Sequence, residues 1–154
     1  MPAFAVIGLC GATLLAAGAL YADVRRREIP DWVPLGMLSL WIATAALAPE
    51  ALNGTIRAAL ICGAGAFAGG YVFYRLGWLG GGDGKLLGAL ALWLGPWEAG
   101  IWLLATATLG LALCLIALAR PTGDFRTRGI PFVWAIAPPA IMLLVARATE
   151  LTGA

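Results

Sequence analysis

Histidine is absent from this sequence. That absence removes Ser-His and Cys-His nucleophile pairs and the HExxH zinc hydrolases. Serine occurs once, at Ser39, and lysine once, at Lys85. Cysteine is sparse: Cys10, Cys62 and Cys114 each stand alone in an apolar run. With no CxxC pair, neither a disulfide framework nor a zinc site is indicated, and small buried hydrophobes are the simplest reading. Charge is scarce as well, at 12% of residues against about a quarter in soluble domains. A net charge of +2 is too small to suggest nucleic-acid binding. Nothing in the residue set calls for a cofactor or a metal.

What is present is oil: 62% of the residues are hydrophobic. Apolar runs fall at about 4–22, 32–48, 56–75, 84–96, 99–119 and 132–149. They do not alternate as barrel strands would, so helices are the spanning form. The expected fold is an all-α integral membrane protein with about six transmembrane helices, forming one polytopic domain over 1–154. The first run lacks a positive leading region and exceeds the ~7–15 residues of a signal-peptide core, so it reads as the first span. Pro138-Pro139 should kink the last helix. Gly65-x-x-x-Gly69 fits a close helix–helix contact.

Orientation follows from arginine. Eight of the ten basic residues fall between runs 1 and 2, 3 and 4, or 5 and 6. The positive-inside rule makes those loops cytoplasmic and puts both termini outside the cytoplasm. A Ser39–Lys85 dyad would then have to join mid-membrane to the cytoplasmic face, and is set aside. Two of the cytoplasmic loops end alike, Arg25-x-Arg27-x-Ile29-Pro30 and Arg126-x-Arg128-x-Ile130-Pro131. Each is an arginine anchor with a proline opening the next helix.

Carboxylates are the remaining catalytic candidates. Glu50, Glu98 and Glu150 fall at the outer face, where solvation explains them. Asp124 sits in a polar loop, and Glu28 is most simply a partner for the arginines. Asp31 follows Pro30 at a helix start, a favourable place for negative charge. Asp83 stands in "WLGGGDGKLL", thirteen steps before Pro96, or ~20 Å of helix. The hydrocarbon core is ~30 Å thick. Asp83 thus lies roughly 10 Å below the surface or the bilayer thins there, and a carboxylate at depth requires a wet cavity. Gly80, Gly81, Gly82 and Gly84 suggest irregular backbone beside it, open to another chain. Asp23 closes the first apolar run at a similar depth. Two converging carboxylates can share one proton and activate water. Spacing alone equally admits two aspartates far apart, each solvated.

"ADVRRREIPDW" followed by "GGGDGKLLGALALWLG" resembles the type IV prepilin peptidase family of GxGD intramembrane aspartyl proteases. The likeness is nearest to its short members from Flp-type pilus systems. The GxGD-x-K-L motif, Gly80 to Leu86, is its specific part, and Asp23 to Pro30 supports it. The resemblance implies a bacterial inner-membrane enzyme that removes the short leader of prepilins on the cytoplasmic side. It implies Asp23 and Asp83 as the catalytic pair, with Gly80, Gly82 and Lys85 around the second. The partners would be a membrane-inserted prepilin and the lipid bilayer. Long family members carry a paired-CxxC segment and methylate the new N-terminus. With no such segment here, cleavage without methylation is expected. Asp31 stands where related short members usually carry Asn, and Pro139 where glycine is common. A transporter would need acids through the membrane depth, and the middle of each run has none. A non-catalytic assembly component of a pilus or secretion system is the other alternative.

Overall fold

Apolar segments of this length can satisfy their backbone in a bilayer only as helices. A computed structural model of the chain, describing residues 2–26, 28–49, 52, 54–119 and 132–153, contains helices and no strand among them. Among the described residues five helices follow in order: α1 Pro2–Arg26, α2 Trp32–Leu47, α3 Ile56–Arg75, α4 Gly81–Ala119 and α5 Val133–Thr152. Four of them, α1, α3, α4 and α5, are long and apolar enough to cross a membrane, and α2 is a shorter apolar helix. Arg27, Glu50, and the stretch 120–131 with Asp124, Arg126 and Arg128 lie outside the described residues.

Local chemistry sets the helix ends. Thr55 caps α3, its hydroxyl accepting from the Ala58 N–H at 3.2 Å. Gly153 closes α5 in the left-handed conformation at φ 70°, the usual glycine stop. Pro138 and Pro139 lie inside α5, which continues through them. The runs 84–96 and 99–119 join in α4, broken only at Gly95 with φ 71° and ψ 176°. Only glycine takes that backbone readily, and Pro96 cannot continue the ladder. Gly95 thus divides α4 into a first arm, 81–94, and a second arm, 96–119.

The first arm is the centre of the bundle. Every residue from Leu86 to Gly95 is buried, as expected of a helix apolar on all sides. α2, α3 and α5 pack on α4, and α1 packs on α2 and α5. Lipid is as apolar as leucine, so close packing and internal hydrogen bonds must hold these helices together. Gly70 and Gly84 meet backbone to backbone: a Cβ on Gly70 would stand 2.7 Å from the Gly84 Cα. Gly63 and Gly88 repeat the approach farther along. Gly65 and Gly69 do not take part, since nothing lies within 4 Å of the place a Cβ would occupy on either. The close contact expected of them is made by Gly63 and Gly70 on another face of α3. Indole donors tie the remaining elements, Trp93 Nε1 to Met37 O at 3.1 Å and Trp102 Nε1 to Ile136 O at 2.8 Å.

Candidate functional site

Asp23 owes its direction to the periodicity of α1. Ala5, Leu9, Ala12, Ala16 and Ala19 form the buried seam of that helix. Their steps of four and three residues trace one inward stripe, and the next step is Asp23. Its carboxylate is therefore buried, with the residue 8% exposed. Its neighbours Arg25 and Arg26 are exposed, and the Arg25 guanidinium lies over the Tyr21 ring.

Asp83 enters from the first turn of α4. One of its oxygens, Oδ2, accepts from the Gly80 N–H at 3.3 Å. This is the reach-back half of a capping box. It orients the carboxylate at a helix N-terminus, where negative charge is favoured. The surrounding glycines have particular neighbours. A Cβ on Gly80 would stand 2.9 Å from Asp83 Oδ2, and one on Gly82 would stand 2.9 Å from Ile29 Cβ. Gly84 faces Gly70. The irregular backbone expected at the motif stops at Gly80, which is non-helical, while Gly81, Gly82 and Gly84 are already helical. These glycines let the α1–α2 connection and α3 close around Asp83.

Asp23 and Asp83, sixty residues apart in sequence, line one cavity of about 620 Å³. They lie within electrostatic reach of each other. Glu28 and Asp31 add two acids to its wall, and Lys85 supplies a cation. Tyr71, Tyr74 and Phe67 of α3 form an aromatic side. Gly80, Gly82 and Lys85 all line this chamber. Asp31 precedes α2 without capping it through its side chain. Instead its Oδ1 accepts from Lys85 Nζ at 2.5 Å. Ser39 donates back to Leu35 O within its own helix, so no Ser39–Lys85 pair forms.

Sequence reasoning missed the opposite end of the first arm. Arg147 of α5 is buried. It donates to Trp93 O at 2.7 Å and Leu94 O at 3.0 Å, and pairs with Glu98. Glu98 is thus not a freely solvated outer acid. Gly95 ends the arm and leaves its last carbonyls without helical donors, and Arg147 supplies donors to them. The signal available was the Gly95-Pro96 break itself, which predicts orphan carbonyls and so a cation near them.

In comparisons with known proteins, residues 9–116 match the model of the type IV leader peptidase family. No curated protein and no solved structure matched the chain. The matched stretch is well over half the chain and holds both aspartates, while α5 lies beyond it. A multi-pass array of apolar helices accords with a peptidase that works at membranes, and the chain belongs to the type IV leader peptidase family.

Proposed function

We propose that the chain is an aspartic endopeptidase that removes the short leader of Flp-type prepilins at the cytoplasmic face of the bacterial inner membrane. Asp23 and Asp83 are its catalytic pair. The observation that carries this reading is the convergence of those two carboxylates on one chamber. A water held between them attacks the scissile carbonyl. One carboxylate, ionised, takes the water's proton while the other, protonated, donates to the carbonyl oxygen. The membrane topology is six crossings, with α4 counted as two at Gly95 and both termini outside the cytoplasm. Arginine placement supports that orientation.

The scissile peptide must be extended, because a helical carbonyl is already hydrogen-bonded. Gly80 and Gly82 leave room for the Asp83 carboxylate and for Ile29 to close against the motif, and Lys85 lines the same chamber. Co-expression with a Flp-type prepilin tests the proposal. Wild type should give the shortened product on a gel and Asp83→Asn should not. Equal processing by both would sink it.

A further inference from the structure

A second recess of about 470 Å³ lies along α2, α3 and the first arm of α4. Its floor is Gly88 and Ala89 of α4, and its walls are Leu35 and Leu38 of α2 with Leu60 and Ala64 of α3. α2 and α3 both pack on α4 but make no substantial contact with each other. The recess is therefore a groove whose sides are two separate helices. Beyond the Lys85–Asp31 pair at its end, it has no charged lining. Asp31, Phe67 and Lys85 line both this groove and the aspartate chamber. The two spaces meet there, with the ion pair and the Phe67 ring as a sill.

Resting on the function proposed above, we propose that this groove seats the first two turns of the substrate's own apolar helix, just beyond the cleaved bond. A chain whose scissile bond is in the chamber and which continues as a membrane helix must leave past the sill. The groove is the apolar space continuous with that exit. On α4 it runs from Lys85 to Leu92, a rise of about 10 Å or two helical turns. Small residues on its floor let a helix lie close, as membrane helix pairs require. Its lack of charge selects against any substrate with an ionised side chain on those two turns. The Asp31 carboxylate neutralises Lys85 at the sill, so an acidic substrate residue gains little there.

The test compares two substrates, a full prepilin with its membrane helix and a short peptide spanning only the cleaved bond. Ala64→Phe and Leu38→Trp narrow the groove from opposite walls, and Gly65→Phe adds the same bulk on the open face of α3. Both groove variants should raise KM for the full prepilin about tenfold, the loss of roughly one buried side chain's contact. Their cleavage of the short peptide, and Gly65→Phe with either substrate, should match wild type. Unchanged constants in both groove variants would mean that lipid fills the groove and would overturn the proposal. So would a change of oligomeric state without a change in KM, which gives the groove to a second copy. Equal losses on both substrates from both walls would also overturn it, as damage to the chamber. Failure of wild type to cut either substrate would instead sink the protease reading itself.

Discussion

Replacing Arg147 by methionine should be among the most damaging single changes outside the aspartate chamber. The guanidinium is buried and donates to Trp93 O, Leu94 O and Glu98. Methionine keeps much of the volume and removes every donor. Two carbonyls then lose their donors, and the largely buried Glu98 carboxylate loses its cation, where little water reaches. Breaking a buried ion pair from one side costs about 3–5 kcal/mol. Glu98→Gln should cost less, about 1–2 kcal/mol, because Arg147 keeps its two carbonyls. The double variant should be about 1–2 kcal/mol more stable than Arg147→Met alone, since position 98 then carries no buried charge in need of the lost cation. Reversible unfolding in micelles, followed by tryptophan fluorescence, measures all three. A loss below about 1 kcal/mol in Arg147→Met, or no relief from the second change, would refute the clamp.

Other expectations follow from close contacts. Gly70→Leu puts a side chain where the Gly84 backbone stands 2.7 Å from a Cβ position. It should separate α3 from α4 and cost about 3 kcal/mol or more in the same unfolding assay, whereas Gly69→Leu, on the open face, should cost under about 0.5 kcal/mol. Asp31→Asn breaks an ion pair whose side chains are 46% and 69% exposed. Stability should move by less than about 1 kcal/mol, and cleavage of a prepilin bearing an acidic residue near the sill should improve relative to wild type. Gly80→Val forces a branched side chain against Asp83 Oδ2 and should slow cleavage at least about tenfold with little change in helix content by circular dichroism.

Much of the helix pattern was legible because membrane helices announce themselves by apolar length. The run at 56–75 coincides with α3, and the Gly95-Pro96 break was visible as a glycine-proline pair. The chamber was partly legible. Asp23 and Asp83 stood out as carboxylates at the ends of apolar runs, but only packing brings them together. The 4-3-4 stripe of small residues leading to Asp23 was in the sequence and pointed inward. The glycines were harder, because several overlapping sets on α3 share similar spacing. Spacing cannot tell which set faces a neighbour: Gly65 and Gly69 fit the small-xxx-small pattern, yet Gly63 and Gly70 make the contact. Arg147 was hidden for a related reason. A lone arginine near a helix end reads as a surface anchor until the carbonyls freed at Gly95 are placed beside it.

The central claim is that Asp23 and Asp83 act together on a leader peptide bond. The measurement that tests it most directly is the cleavage time course of a purified prepilin in detergent by wild type, Asp23→Asn and Asp83→Asn, each shown to be folded. The account predicts product from wild type and a loss of at least about 100-fold in each variant. Substantial cleavage by either variant would contradict it.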